Sequence, residues 1–170
     1  MFIAREPVLE NMFCRHDATQ STPMNPGVSP VVSPQGALCT IVGCDGETTI
    51  VKKMTACSQK PFGWLMQEIR TDYNHEYLPI NAMMAKDMGT QKTFVGYPIG
   101  VAHLGIYDTN VYDVTASAVT AGADLYPTAS GTLSISSGSG SCATSVAVAM
   151  NTLSAAEMTA GRYLRIKCLL

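Results

Sequence analysis

The stretch TAGADLYPTASGTLSIS, residues 120–136, predicts a compact β-hairpin. LYP at 125–127 and TLSIS at 132–136 are strand-like, and the intervening TASG is typical of a turn. The same Thr-Ala-Gly entry recurs at 159–161, before a second strand-like run at 163–169. The hairpin offers no base, no nucleophile with a partner and no set of metal ligands. It therefore predicts a β-scaffold that presents a surface and carries out no reaction.

Strand signals of this kind continue through the chain after Gly36. Apolar or alternating runs bounded by Gly, Asp, Asn or Pro predict strands at residues 37–42, 48–57, 124–127, 132–136, 146–150 and 163–169, with two or three more within 92–116. PFGWLMQEI, residues 61–69, fits a strand through Phe62, Trp64 and Met66, although Leu65 and Ile69 also fit a helix. Many short strands with Gly-rich turns favour a mainly β fold, either a small β-barrel or a β-sandwich, with at most one or two short helices.

The last of these runs, RYLRIKCLL, alternates strictly. Leu164, Ile166 and Cys168 point to one face of a strand, and Tyr163, Arg165 and Lys167 point to the other. We therefore expect one buried face and one wet face. By contrast, residues 71–91 lack such a period and predict a long irregular connection with one short helix near 81–88. SISSGSGSC, residues 134–142, predicts a flexible hairpin tip.

The first 36 residues have a different character. Prolines at 23, 26, 30 and 34 favour extended backbone and oppose pairing in a sheet. We therefore predict an extended N-terminal arm over residues 1–36 and a β-rich domain over 37–170. The arm carries apolar candidate contact residues, namely Phe2, Ile3, Phe13, Val31 and Val32.

Ordering such an arm has a large entropic cost. Fixing the backbone costs about 1–2 kcal/mol per residue. We expect the arm to find compensating contacts on a partner or on a second copy of the chain, and not on its own domain. The domain from Ala37 onward should then stay folded without it. The alternative is a disordered leader with no role.

Composition and charge exclude several functions. Charged residues make up 14% of the chain and the formal net charge is −2, so we expect no nucleic-acid partner, which would need clustered Lys and Arg. No run approaches 18 consecutive apolar residues, so no membrane span is predicted. Arg5, Glu6 and Glu10 interrupt the region where a secretory peptide needs an apolar run. We expect synthesis in the cytoplasm and six reduced cysteines, with Cys168 buried.

The acidic and histidine-containing motifs give weak candidate metal sites. Asp72, His75 and Glu76 would share one face of a helix, but we favour a solvated polar turn. The run from Asp108 to Asp113 begins like a calcium loop, yet it lacks the central Gly and the terminal Glu. We interpret it as a turn.

The remaining catalytic and metal-binding motifs are also weak or missing. Cys39 and Cys44 face no second pair at zinc spacing, so we interpret them as strand-core cysteines. His103 lies in an apolar strand, where a hydrogen-bonded structural histidine is expected. GSGSC does not match a nucleophile elbow, and neither phosphate-binding glycine motif is present. We therefore predict no catalytic residues, no cofactor, no metal and no enzymatic activity.

Three stretches carry a resemblance to a known family. They are KPFGWLMQEI (60–69), YPIGVAHLGIYD (97–108), and AGADLYPTASGTLS (121–134) followed by VAVAMNTLSAAEMTAGRYLRIKCLL (146–170). In these stretches the chain resembles the capsid decoration proteins of tailed phages, also called cement or head-stabilising proteins. The resemblance covers the C-terminal half well and the middle loosely.

The resemblance implies a structural virion protein on the outer surface of a phage head. Such proteins are β-rich, commonly trimeric, and bridge neighbouring major capsid subunits, in several cases through an N-terminal arm that orders on the shell. The expected partners are the major capsid protein and further copies of the chain, with the arm residues named above as contacts. The alternative is a receptor- or glycan-binding virion module that uses exposed aromatics, with Tyr73, Tyr77, Tyr107 and Tyr112 as candidates.

Overall fold

The computed structural model of the chain describes residues 2–4, 10–19, 31–70, 92–113, 117–135, 142 and 144–170. Within these ranges the elements are β1 (Phe2–Ala4), β2 (Glu10–His16), β3 (Val31–Ser33), β4 (Leu38–Asp45), β5 (Thr48–Lys53), β6 (Gly63–Leu65), β7 (Glu68–Arg70), β8 (Lys92–Phe94), β9 (Pro98–Thr109), β10 (Asp124–Pro127), β11 (Leu133–Ser134), β12 (Ala147–Ala149), α1 (Ala155–Thr159) and β13 (Leu164–Leu169). The predicted mainly β fold is confirmed. No helix in the described ranges has the length and apolar character needed to cross a membrane.

Strand β9 is shared by the two parts of a ten-stranded sheet. Its first half pairs with β2 along one edge and with β6 along the other. Because β2 also pairs with β5, β5 with β4, and β4 with β6, these pairings close a ring. The ring is compatible with the barrel alternative, and the choice between barrel and sandwich stays a prediction.

The second half of β9 belongs to a C-terminal sheet. It pairs with β13 along one edge and with β1 along the other, and β13 continues through β12 and β10 to β11. The change of partners occurs at Leu104 and Gly105. Gly105 has φ +134°, and a Cβ at this position would lie 2.9 Å from Cε2 of Tyr107. A side chain is therefore excluded at the point where β9 passes from the ring to the C-terminal sheet.

Two hydrophobic clusters follow this division. The cluster inside the ring is contributed by β2, β4, β5, β6, β7 and β9, and includes Cys14, Cys39, Val51, Leu65, Ile69, Ile99 and Val101. The larger cluster extends from Trp64 to the C-terminal strands, where Leu164, Ile166 and Cys168 of β13 are buried. The predicted alternation of this strand is confirmed, because Arg165 and Lys167 are exposed.

The predicted hairpin forms within the described residues 120–135, but its second strand is Leu133–Ser134, shorter than the predicted 132–136, and its turn hydrogen-bonds to the ring strand β4. β10 pairs with β11, and the hydroxyl of Thr128 in the turn lies 2.8 Å from that of Ser130 and 2.7 Å from that of Thr132. The turn also accepts a 2.8 Å hydrogen bond at the Gly131 carbonyl from the Leu38 amide in β4. These polar groups bond to one another and to β4, so the turn has a structural role.

Two elements differ from the sequence predictions. PFGWLMQEI forms strands and no helix, but it divides between β6 in the large sheet and β7 in the small sheet β3-β7-β8. The helix α1, which the sequence analysis did not predict, begins with a capping box between Ser154 and Glu157 and buries Met158. Its Ser-x-x-Glu start was the available signal. The predicted connection at 71–91, with its helix, and most of the predicted tip at 134–142 lie outside the described residues.

The N-terminal strands are built into the large sheet. Phe2 is 3% exposed, and its ring stacks on Tyr107 at a centroid distance of 4.3 Å and on Trp64 at 6.3 Å. Strand β2 pairs with β9 from Glu10 to Arg15. The expectation that the arm has nothing to pack against on its own domain is therefore wrong for β1 and β2. The boundary at residue 36 stays a prediction.

The burial of Phe2 predicts a large loss of stability on truncation. We expect Phe2→Ala to lower the free energy of unfolding by about 3–5 kcal/mol, because it removes a buried ring from the stack with Tyr107 and Trp64. The matched control is Tyr97→Ala, since Tyr97 is 61% exposed; its effect should stay within about 0.5 kcal/mol. Urea denaturation followed by tryptophan fluorescence measures both. Equal, small effects would place Phe2 outside the core.

Candidate interaction surface

The five predicted contact residues do not form one exposed surface. Phe2 is a core residue, and Val32 is half-buried against the ring cluster. Val31 is also half-buried and pairs with Arg70 across β3 and β7. Ile3 and Phe13 lie on β1 and β2, and their side chains lie outside the described part of the structure. Their role as capsid or inter-subunit contacts stays a prediction.

An exposed apolar surface lies instead on the outer half of the β4–β5 hairpin, residues 41–50, here called the open hairpin. Leu38 to Thr40 are buried, but every residue from Ile41 to Asp45 is exposed. The pairing with β5 is irregular between Ile41 and Gly43 and regular from Gly43 to Asp45, where successive exposed residues point to opposite faces, so neither face of this end of β4 is covered. On β5, Thr48 is exposed, and Thr49 and Ile50 are half-buried. Ile41 and Val42 are 49% and 42% exposed. Sequence reasoning predicted this strand but not that its end is uncovered, because an apolar run is the usual mark of a buried strand.

The open hairpin is nevertheless well fixed. Asp45 pairs with Thr48 across the two-residue turn Gly46–Glu47, where Gly46 takes φ +61°. Arg15 of β2 donates from its Nη1 to Oδ2 of Asp45 at 2.8 Å and from its Nε to the Gly96 carbonyl at 2.6 Å. Both side chains of the ion pair are largely exposed, so the pair positions the hairpin more than it stabilises the fold.

A second, smaller apolar surface lies on the outer face of β9 and β13. Leu104 and Leu169 are opposite each other in register, and both are exposed. Further along the same two strands, Arg165 donates from its Nε to Oδ1 of Asp108 at 2.9 Å. Asp108 is 5% exposed, so this ion pair sets one charged boundary of the apolar pair.

The candidate metal-binding residues have structural roles where they are described. Asp108, the first residue of the calcium-like run, lies in β9 and is paired with Arg165. Tyr112 from the same run is buried, and its hydroxyl lies 2.7 Å from the Arg162 carbonyl and 3.1 Å from the Met158 carbonyl. Within the described ranges, no group of three His, Cys, Asp or Glu residues could hold a metal ion. Asp72, His75 and Glu76 lie outside those ranges.

The cysteine and histidine predictions have mixed outcomes. Cys39 is buried in the ring cluster, and burial raises the pKa of its thiol far above the ordinary value. Cys44 is exposed on the open hairpin, so the interpretation of both residues as strand-core cysteines is wrong for Cys44. Cys44 lies in the outer half of β4, where every residue from Ile41 to Asp45 is exposed. His103 is half-buried and lies edge-on to Phe62, with ring centroids 4.6 Å apart.

Two of the tyrosines proposed for the glycan-binding alternative are unavailable. Tyr107 is fully buried, its hydroxyl donates to the Leu104 carbonyl at 3.3 Å, and burial raises its pKa to about 12. Tyr112 is buried as described above. Tyr73 and Tyr77 lie outside the described residues. Tyr97, which the sequence analysis did not select, is the exposed aromatic residue on the turn before β9.

A scan against protein-family models and a search of the curated proteins found no match to the chain.

His16 is a buried titratable group whose charged form is disfavoured by its surroundings. It is 1% exposed at the end of β2, where its backbone donates to the Tyr97 carbonyl and accepts from the Gly96 amide, both at 3.1 Å. Neither ring nitrogen has a hydrogen-bond partner in the described part of the chain. Burial lowers the pKa of His16 below 6.5, and the neighbouring Asp17 offsets part of this effect.

The lowered pKa predicts acid sensitivity. As the pH falls below 6.5, the unfolded chain takes up a proton on His16 before the folded chain does, so the free energy of unfolding decreases. The slope contributed by this one group is at most about 1.4 kcal/mol per pH unit. We expect His16→Leu to lose this contribution between pH 7 and pH 5, a range above the ordinary carboxylate pKa values. Urea denaturation at several pH values measures the difference. Parallel pH profiles for the two proteins would contradict the assignment.

Proposed function

We propose that this chain is a structural virion protein that binds the outer surface of a tailed-phage head and stabilises it by bridging major capsid subunits. The sequence resemblance supplies the family. The open hairpin is the observation that carries the proposal, because it offers a fixed, paired and apolar projection whose β4 end is uncovered on both faces. Such an element fits into the groove between two protein subunits, where both of its faces become buried.

The energetic contribution of such a contact is substantial. Full burial of an exposed Ile or Val side chain contributes about 1.5–3 kcal/mol, and Ile41 and Val42, which are 49% and 42% exposed, would gain about half of this each. Ile41 is paired with Val51 of β5, and Val42 lies between the paired residues Ile41 and Gly43, so the backbone of both is already held in the hairpin. Little conformational entropy is therefore lost on binding, in contrast to an arm that must order at the same time. Subunit separation would re-expose these residues, and this opposes the outward pressure of packaged DNA.

The second apolar surface, on β9 and β13, supports self-association, and we propose a homotrimer. The apolar pair Leu104 and Leu169 lies on the outer face of the C-terminal sheet, separate from the open hairpin. One surface can then bind sister copies while the other binds the capsid. Closed symmetric association is the usual arrangement for copies of one chain.

The proposal includes no enzymatic activity and no cofactor. The described histidines and acidic residues discussed above are held in packing contacts or ion pairs, as for His103 against Phe62 and Asp108 with Arg165. Low charge and abundant small residues suit a protein whose surface is largely covered by neighbours in a shell. Localisation on the outer capsid surface, after synthesis in the host cytoplasm, belongs to the same proposal.

The second candidate function is a receptor- or glycan-binding virion module. Tyr97 favours it, because this side chain is 61% exposed on a turn, where aromatic rings can stack on sugars. The burial of Tyr107 and Tyr112 weakens the case for glycan binding, because neither ring can contact a sugar. A module of this kind would bind a glycan through Tyr97 and would not require the open hairpin.

The open hairpin gives the decisive experiment. We expect the double variant Ile41→Asp/Val42→Asp to lose about 100-fold or more in affinity for phage heads assembled without the decoration protein, because two apolar anchors are replaced by charges. The variant should stay folded, since both positions are exposed. Met150→Asp is the control, because Met150 is 44% exposed at a distant site after β12. Co-sedimentation with the heads measures binding.

Several results would overturn the proposal. Unchanged binding by the hairpin variant would remove the open hairpin from the interface. Absence of binding by the unaltered protein, together with a glycan-array signal lost in Tyr97→Ala, would establish the second function. Analytical ultracentrifugation at micromolar concentration should show a trimer, and a monomer would contradict the proposed self-association.

A further inference from the structure

Two thiols that are distant in sequence lie side by side in the fold. The thiols of Cys57 and Cys142 are close enough to interact. The segments that carry them also meet, because a Cβ at Gly131 in the turn after β10 would lie 3.4 Å from the carbonyl oxygen of Met54, three residues before Cys57. Cys57 is exposed in the loop between β5 and β6, and Cys142 is 7% exposed in the segment between β11 and β12. The pair therefore has one sulfur accessible to solvent and one at the edge of the large hydrophobic cluster.

The backbone holds both cysteines in place. Around Cys57, the Gln59 side-chain carbonyl accepts from the Thr55 amide at 2.7 Å and from the Ala56 amide at 3.1 Å. At the other side, the Cys142 amide donates to the Pro127 carbonyl in β10 at 2.8 Å. Hydrogen bonds to the backbone therefore hold the segment on each side of the cysteine pair.

The two cysteines belong to different parts of the fold. Cys57 follows β5, which belongs to the strand ring, whereas Cys142 precedes β12, which belongs to the C-terminal sheet. A covalent bond between them would join the two parts of the fold at a point away from β9. It would also close a loop of about 85 residues, a length at which cross-linking restricts the unfolded chain strongly.

We propose that Cys57 and Cys142 form a reversible intramolecular disulfide when the protein meets a low-molecular-weight disulfide, such as oxidised glutathione. The thiolate of Cys57 attacks one sulfur of the oxidant, which forms a mixed disulfide and releases one small thiol. The thiolate of Cys142 then attacks the Cys57 sulfur and releases the second small thiol. Two protein thiols are oxidised and one small disulfide is reduced to two thiols, so atoms and electrons balance.

The order of the two steps follows from accessibility and charge. Cys57 is reachable from solvent, and Cys142 is not. Burial, and then the neighbouring Cys57, raise the pKa of Cys142 to about 11, so its thiolate is scarce before Cys57 has reacted. Conversion of Cys57 to a mixed disulfide removes its ability to become a like-charged neighbour, which favours ionisation of Cys142 for the second step. In a reducing cytosol both residues are expected to be thiols.

Peptide mapping identifies the bond directly. The full-length protein is equilibrated with mixtures of oxidised and reduced glutathione, blocked with N-ethylmaleimide in guanidinium chloride, which unfolds the chain and exposes Cys142, and digested with trypsin without reduction. Trypsin does not cleave before Pro61, so Cys57 falls in the peptide 54–70 and Cys142 in the peptide 93–162, each as the single cysteine of its peptide. We expect these two peptides to be linked, and to separate again after treatment with dithiothreitol.

The matched controls are Cys57→Ser and Cys44→Ser, because both cysteines are exposed and only Cys57 neighbours Cys142. The linked peptide should disappear in Cys57→Ser and persist in Cys44→Ser. In the unaltered protein, oxidation should raise Tm by on the order of 10 °C, and in Cys57→Ser it should leave Tm unchanged. The proposal is overturned if Cys142 stays alkylatable while Cys57 carries glutathione, or if Cys57 links to any other cysteine.

Discussion

The pairing of β9 with four other strands is the constraint on which the rest of the fold depends. Its first half closes the ring through β2 and β6, and its second half carries β13 and β1. Since the ring and the C-terminal sheet share this strand, neither can form its full set of hydrogen bonds without it. Gly105 allows the strand to pass between the two, because the Tyr107 ring occupies the space that a side chain would need.

The sequence predicted the local elements well because their signals are local. The β10–β11 hairpin follows from turn chemistry, and the burial of alternate residues in β13 follows from a strict period of two. Tyr107 was predicted as an exposed aromatic residue for glycan binding, but it is fully buried. Tyr107, Asp108 and Thr109 are all buried. The Phe2 ring packs on Tyr107, and the next residue, Asp108, is bonded by the Arg165 side chain. A strand buried on both faces loses the alternation that would place each residue.

The candidate surface was harder to predict because it depends on contacts between distant segments. Phe2 has the composition of an arm residue, and only its pairing with a strand about 100 positions later places it in the core. The open hairpin shows the reverse case: Ile41 and Val42 are apolar and would be expected in the core, but they are exposed. Sequence spacing also does not reveal that Cys57 lies beside Cys142. The close spacing of Cys39 and Cys44 raised the question of a metal-binding pair, but one of these cysteines is buried and the other is exposed.

The central structural claim is that the N-terminal strands complete the fold by pairing with β9. The most direct test compares the full-length chain with a chain of residues 37–170 in urea denaturation followed by circular dichroism and tryptophan fluorescence. Loss of β1 and β2 removes the Phe2 ring from its stack and opens the strand ring at β9. The shortened chain should therefore show no cooperative unfolding transition, or one at much lower urea. Coincident transitions for the two chains would contradict the account and show that residues 37–170 fold independently.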